Sequence, residues 1–98
     1  MNQIVLSKSS KKDKKWMVRL PSGKTVHFGA AGYQDYTQHK DTERKRRYII
    51  RHQKREKWSK AGVTTAGFWS RWILWNQPSL LSSIRNTANK FKMNIKKR

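Results

Sequence analysis

The chain has 98 residues, of which 24 are Lys or Arg and only five are Asp or Glu, so its formal net charge at pH 7 is +19. The absence of cysteine excludes disulfides and thiolate metal sites. The longest unbroken run of large apolar residues, Trp72 to Trp75, is far too short for a transmembrane segment.

Residues suited to a hydrophobic core are scarce. Leu, Ile, Val and Phe together account for 18 residues, which in so basic a chain approaches the composition of disordered proteins. The five Trp and three Tyr residues supply the missing apolar surface, because each buried aromatic side chain removes about 150 to 250 Å² from water. We therefore expect one small domain whose folding depends on aromatic residues.

The first part of the chain predicts a basic arm followed by a β-hairpin. The predicted arm is residues 1–14, and the stretch SKSSKKDKK, residues 7–15, is polar throughout and should be flexible. In residues 15–28, the runs KWMVRL and TVHF flank the turn PSGK, which is a hairpin pattern. Two strands alone are marginally stable, so the hairpin must pack against something apolar.

Three helices are predicted after the hairpin, over about residues 41–59, 66–76 and 79–91. The candidate N-caps are Asp35, Thr37 or Asp41 for the first helix and Thr65 for the second, and Gly62 is the candidate stop signal of the first.

The predicted fold class is α+β and mainly helical. An N-terminal β-hairpin is followed by three helices in a single small domain of residues 15–91. The basic arm, residues 1–14, and a basic C-terminal tail, residues 92–98, are predicted to be flexible.

Tryptophans recur at three-residue intervals in GFWSRWILWN, residues 67–76. At 100° per residue, Phe68, Trp72 and Trp75 share one stripe, whereas Ser70 and Arg71 face the other way. Helical spacing of aromatics indicates a core, but three large rings exceed what one hairpin can cover. Part of the stripe could therefore bind a partner. The candidate core or partner-binding aromatics are Trp58, Phe68, Trp69, Trp72 and Trp75.

The basic residues point to a negatively charged partner, because most of them cannot find an acid within the chain. Nucleic acid, an acidic protein surface and an anionic membrane all fit this charge. On nucleic acid, such residues would contact phosphates with little sequence preference. The candidate residues for binding a polyanion or an acidic partner are Lys11, Lys12, Lys14, Lys15, Arg44, Arg46, Arg47, Arg51, Lys54, Arg55, Lys96, Lys97 and Arg98.

Catalytic groups are few. Asp35, His39 and Glu43 have a spacing that could bind a metal on one helix face, but helix capping explains the two acids more simply. His52 and Glu56, four residues apart, indicate a surface contact rather than an acid/base pair. We expect no enzyme activity, no metal, no cofactor and no small-molecule substrate.

Three stretches resemble a known family. HFGAAGYQDYTQHKD, RYIIRHQKRE with Trp58, and TAGFWSRWILWN with Pro78 span about two-thirds of the chain. They resemble small basic proteins of unknown function encoded by large nucleocytoplasmic DNA viruses of the phycodnavirus, mimivirus and marseillevirus type. The resemblance implies a viral gene product carried in the virion, and it assigns no role to any residue.

Two functions follow from such a setting. In the first, which we favour from the sequence, the chain is a minor capsid or cement-type structural protein of the virion. It would dock on other capsid proteins through its Trp-rich helix and basic surfaces. In the second, it is a sequence-nonspecific nucleic-acid-binding protein that neutralises or condenses the viral DNA. Both place it in the virion, and in the host cytoplasm or nucleus during assembly.

Overall fold

The computed structural model describes residues 3–98, which form a four-stranded mixed β-sheet with helices packed on one face. Met1 and Asn2, the start of the predicted basic arm, lie outside the described residues. The strands are β1 (Gln3–Lys8), β2 (Lys14–Arg19), β3 (Thr25–Ala30) and β4 (Asn94–Lys97). Their order in the sheet is β3-β2-β1-β4.

The side chains of the sheet alternate between a buried and an open face, as the period of a strand requires. Leu6, Val18 and Val26 lie in register across β1, β2 and β3, and all three are buried. Their neighbours on the opposite face, such as Met17 and His27, are half-buried and are not part of the hydrophobic core. The sheet therefore has one face in the core and one face open to solvent.

The prediction of flexible basic tails is wrong for the described residues. β1 lies within the predicted arm and β4 within the predicted tail, and the two pair in parallel, with Ile4 opposite Ile95. In β1, Ile4 and Leu6 alternate with half-exposed residues, a strand pattern that the basic stretch after it obscured. β4 has a single apolar residue, so its strand conformation depends on pairing with β1, which lies far away in sequence.

The predicted hairpin is confirmed as β2 and β3. Its turn is closed by backbone hydrogen bonds from Leu20 to Lys24 and from Gly23 to Leu20, both 2.8 Å long. Gly23 has a φ of 96°, in the region that favours glycine. The hairpin is the centre and one edge of a larger sheet, so the predicted architecture of a hairpin followed by three helices is wrong.

The helical part is assembled from short pieces. The α-helices are α1 (Tyr36–His39), α2 (Thr42–His52), α3 (Ala66–Trp69) and α4 (Leu80–Phe91). A 3-10 turn, Lys60–Gly62, precedes α3, and a π-helical turn, Ser70–Leu74, follows it. Side chains cap all four α-helices at their N-termini, in chain order Asp35, Asp41, Thr65 and Ser79.

The first predicted helix, over residues 41–59, is too long. α2 ends at His52, and the chain then turns back so that the ring of Trp58 lies parallel to that of Tyr48, with centroids 6.3 Å apart. The second predicted helix, 66–76, changes to π-helical spacing at Ser70, whose carbonyl accepts a hydrogen bond from the amide of Trp75. The third, 79–91, is confirmed as α4 with Ser79 as its cap.

No helix within residues 3–98 combines the length and the apolar character needed to cross a membrane.

Candidate functional site

Most of the tryptophan stripe is core. Phe68, Trp69 and Ile73 are fully buried, and the indole Nε1 of Trp69 donates to the carbonyl of Val63 at 2.7 Å. Trp72 is half-buried, and its edge packs on Phe91 with centroids 5.3 Å apart. Helical periodicity correctly indicated a core here, but Trp75 is half-buried, stacks on Tyr48 of α2 and borders an open groove.

Trp58 and Trp75 hold α2 against the rest of the molecule. The ring of Tyr48 stacks on Trp75, with centroids 4.4 Å apart and planes 3° from parallel, and Trp58 lies parallel on a longer spacing. Burial raises the pKa of the Tyr48 phenol above its ordinary value. The sequence did not identify Tyr48 as the buried member of its apolar run, because Ile49 and Ile50 follow it directly and point in other directions.

Two cations are partly buried among aromatic rings. The guanidinium of Arg71 lies 4.3 Å from the ring centroid of Trp72 and donates to the carbonyl of Trp75 at 2.8 Å. Lys45 lies 4.9 Å from the ring centroid of Tyr36 and donates to the carbonyl of Asn76. Burial lowers the pKa of both side chains. In a chain with five acids, ring faces and carbonyls take the place of carboxylates.

Helical projection placed Arg71 on the side away from the aromatic stripe, but its guanidinium lies against the ring of Trp72, a member of that stripe. The π-helical turn changes the direction in which residues 70–74 project, and residues 53–59 fold back over that side. As a result, the guanidinium of Arg71 also lies 5.4 Å from the ring centroid of Trp58. Neither the π-helical turn nor the fold-back has a signal in helical periodicity.

One face of α2 carries a row of arginines beside an open groove. Arg44, Arg47 and Arg51 are three and four residues apart, so they lie on the same side of the helix. The groove has a volume of about 350 Å³. We call it the arginine groove, and its lining residues are Tyr33, Gln34, Arg44, Arg47, Arg51 and Trp75.

The arginine groove contains little negative charge. Glu43 binds Arg46, which lies outside the groove, and the hydrogen bond from Arg46 lowers the pKa of the Glu43 carboxyl. The same carboxylate lies 3.7 Å from Arg47. Within residues 3–98, Arg44 and Arg51 form no ion pair. The groove therefore offers three guanidinium groups with one shared carboxylate at its border.

A second basic cluster lies at the β1–β2 turn. An open cavity of about 470 Å³ there includes Lys11, Lys12 and Lys14, and the exposed loop residues Ala31 and Gly32 form part of its wall. The next residues of that loop, Tyr33 and Gln34, line the arginine groove. Loop 31–34 therefore borders both clusters, which form one basic surface.

The other predicted cations are not all available to a partner. Lys15 donates to Asp35 and Gln38, each at 2.7 Å, so an internal ion pair occupies it. Lys97 lies over the ring of Trp16 in the sheet. The remaining members of the predicted set, which are exposed and lie outside the arginine groove, are Arg46, Lys54, Arg55, Lys96 and Arg98.

The possible metal ligands do not converge. Asp35 caps α1, Glu43 binds Arg46, and the Nδ1 atom of His39 accepts from the backbone amide of Asp41 at 2.9 Å. Burial, followed by the charge of Arg44, lowers the pKa of His39. In the described part of the chain, no group of three His, Asp or Glu side chains could hold a metal ion.

His52 and Glu56 do meet, at the edge of a cavity of about 380 Å³ beside the arginine groove. Nδ1 of His52 lies 2.6 Å from Oε2 of Glu56, but without the alignment of a hydrogen bond. Both side chains are half-buried, so the contact is deeper than the surface pair that the sequence predicted.

The comparisons with known proteins identify a family. The model of a family of unknown function (DUF5754) matches residues 4–52, which is half of the chain. The chain belongs to this family. No curated protein matches the chain, and no solved structure matches it. The DUF5754 match extends from β1 to the end of α2, so it includes every residue of the arginine groove except Trp75.

Proposed function

We propose that the chain is a non-enzymatic, sequence-nonspecific nucleic-acid-binding protein, and that the arginine groove contacts the phosphates. The observation that carries this proposal is the row of Arg44, Arg47 and Arg51, which face an open groove with one carboxylate at its border. A guanidinium group donates two parallel hydrogen bonds to a phosphate, and it stays charged at any physiological pH.

The spacing of the row fits a chain of phosphates. A helix rises about 1.5 Å per residue, so steps of three and four residues separate these arginines by about 4.5 and 6 Å along α2. A nucleic-acid strand in a B-form duplex carries one phosphate per about 3.4 Å of axis. The three arginines therefore extend along α2 over a length comparable to that of a few consecutive phosphates. Contacts of this type give affinity and orientation without sequence preference.

The charge of the whole chain supports the same proposal. A net charge of +19 on 98 residues attracts any polyanion over a distance, and the lysine cluster at the β1–β2 turn continues the surface past loop 31–34. If the resemblance to viral proteins holds, the protein would neutralise viral DNA within the virion.

A second proposal is the structural role in the virion, as a minor capsid or cement-type protein docked on other capsid proteins. Because the tryptophan stripe is mostly core, docking would use another surface. An open groove of about 540 Å³, with Ile4, Leu20, Pro21, Val63 and Met93 in its wall, supports this proposal, since an apolar side chain of a partner would fit there.

The first proposal is tested by removing two charges from the arginine groove. We expect R47Q/R51Q to weaken binding to a labelled DNA duplex by about tenfold or more, because each arginine donates charge-assisted hydrogen bonds. The slope of log affinity against log salt should also fall by about 1.8 on the duplex. Fluorescence anisotropy over a series of NaCl concentrations measures both quantities.

The matched control is R19Q/R85Q, which removes the same charge from two exposed arginines outside the groove. It should retain most of the affinity. Equal losses in the two double variants would show that net charge alone drives binding, and the arginine groove would then have no special role. A wild-type protein that binds no nucleic acid at physiological salt would disprove the proposed function.

A further inference from the structure

Tyr33 projects from loop 31–34 at the edge of the arginine groove. Its residue surface is 75% exposed, the most of any large hydrophobic residue in the described range. The loop is shaped by Gly32, whose φ of 93° favours glycine, and by a backbone hydrogen bond from Tyr33 to Ala30 of 3.4 Å. A single exposed aromatic residue is ordinary on a protein surface, so its position matters more than its exposure.

The position is unusual in two respects. Tyr33 borders the same groove as three arginines, and within residues 3–98 its ring stacks on no other ring. The other aromatic residue of the groove, Trp75, is already packed against Tyr48 and His39, at centroid distances of 4.4 and 5.3 Å. Tyr33 is therefore the ring of the groove whose face can accept a ligand.

We propose that the arginine groove binds single-stranded nucleic acid, with an unpaired base stacked on Tyr33 and the neighbouring phosphates on Arg44, Arg47 and Arg51. This inference rests on the proposed function and specifies its ligand. Aromatic rings next to a basic groove are how proteins bind single strands without reading sequence, because every base has a π-face. In a duplex those faces are covered by neighbouring base pairs, so Tyr33 can add little.

The surroundings of Tyr33 leave room for a base. The cavity of about 380 Å³ beside the arginine groove also has Tyr33, Gln34 and Trp75 in its wall. Oε1 of the exposed Gln34 accepts a long hydrogen bond of 3.5 Å from Arg44, and its amide nitrogen can donate to base edges. A base on Tyr33 would therefore enter an existing space, with no rearrangement of α2. Single-stranded DNA and RNA share this chemistry.

The test measures three labelled probes by fluorescence anisotropy: an oligothymidylate of about 12 nucleotides, an oligouridylate of the same length, and the duplex of the oligothymidylate with oligodeoxyadenylate. We expect Tyr33→Ala to weaken binding of at least one single strand by about 5- to 100-fold. Binding of the duplex should change by less than about twofold, because its bases are already stacked. The single strand that the wild-type protein binds more tightly indicates whether the preferred ligand is DNA or RNA.

Two variants complete the test. Tyr33→Phe keeps the ring and should bind within about twofold of wild type. Leu81→Ala removes another exposed apolar side chain, on α4 and outside the groove, and should change nothing. Because Tyr33 and Leu81 are both exposed, all three variants should have the urea midpoint of wild type.

The inference would be overturned if Tyr33→Ala bound the single strands as wild type does, or lost affinity for duplex and single strands alike. In either case R47Q/R51Q would still report on phosphate binding. The proposed function and this inference therefore fail by different measurements.

Discussion

Gly62 and Gly67, on either side of the cap of α3, lie close to atoms of the segment after α2. A Cβ at Gly62 would overlap the backbone carbonyl oxygen of Lys57, whereas one at Gly67 would meet the end of the Glu56 side chain. A backbone oxygen cannot move unless the chain around it moves, but a glutamate side chain that is 24% exposed can rotate towards water. A larger side chain at position 62 would displace backbone, whereas one at position 67 would displace only a side chain.

From this difference we predict that alanine is tolerated better at position 67 than at position 62. Gly62→Ala should lower the free energy of unfolding by about 1 to 3 kcal/mol, as overpacking of a filled site does. Gly67→Ala should cost less, because alanine gains up to about 1 kcal/mol over glycine inside a helix, which offsets the displacement of Glu56. Urea denaturation of both variants measures the difference. A Gly67→Ala protein less stable than Gly62→Ala would contradict it.

At the residue scale, the sequence predicted buried rings well and buried cations poorly. Helical spacing placed Phe68 on an apolar stripe, and Phe68 is fully buried in the core beside Trp69, with ring centroids 5.0 Å apart. Arg71 carries a charge that normally faces water, so its burial against Trp72 follows only from the surrounding segments. The position of Tyr33 beside the arginine groove was equally unpredictable, because a tyrosine in a glycine-containing loop has no distinctive pattern.

At the scale of elements, β4 shows how a weak sequence pattern becomes a strand. Its backbone pairs with β1, whose Leu6 carbonyl also accepts a hydrogen bond from the amide of Arg98 at 2.8 Å. Ile95 is half-buried against the core, opposite Ile4, while Lys96 is exposed. β4 thus covers one edge of β1 and contributes one side chain to the core.

We predict that Ile95→Ser lowers the free energy of unfolding by about 1 to 2 kcal/mol, because it removes apolar surface from a partly buried site. The neighbouring change Lys96→Ser should stay within about 0.5 kcal/mol of wild type, as exposed substitutions do. Thermal and urea denaturation of the two variants provide the comparison. If both variants were as stable as wild type, residues 94–97 would contribute little to the fold.

The elements that the sequence predicted best are those with local signals. The hairpin has its turn, and α4 has its cap and apolar stripe, so both were found with accurate bounds. The ends of α2 and α3 depend on contacts with residues elsewhere in the chain, such as Trp58 on Tyr48. The parallel pairing of β1 with β4 joins residues about 90 positions apart, and the hydrophobic periodicity of either segment contains no information on the other.

At the scale of the whole molecule, the main feature is the excess of positive charge. A formal charge of +19 is carried on a body with principal extents of 38 × 28 × 25 Å. Cations on neighbouring turns of α2, such as Arg44 and Arg47, lie well within the screening length of about 10 Å at 0.1 M salt. The folded state therefore carries a self-repulsion that the extended chain relieves.

Salt should stabilise this fold. Between low ionic strength and about 0.5 M NaCl, where the screening length falls towards 3 Å, we expect Tm to rise by about 5 °C or more, equivalent to about 1 kcal/mol for a domain of this size. Thermal unfolding followed by circular dichroism measures the shift, with the same series repeated on R19Q/R85Q, which should respond less. A Tm that falls or stays constant would mean that self-repulsion has no measurable effect on stability.

For the candidate site, composition indicates a negatively charged partner, which stays a prediction, and the sequence showed that the helix carries many cations without selecting the three that share the groove. The groove forms because loop 31–34 lies beside α2. That contact belongs to the tertiary structure and has no local signal in the sequence. The fold-class prediction failed for the same reason, since the sheet is completed by residues far apart in sequence.

The parallel pairing of β1 with β4 also fixes the order of events on the ribosome. Synthesis proceeds from the N-terminus, so β1 is complete long before residues 94–97 exist. The hairpin β2–β3 and the helices can form while translation continues, because their contacts are local. The fourth strand can be added only after residue 97 has left the exit tunnel, and until then the nascent chain carries an open β-edge.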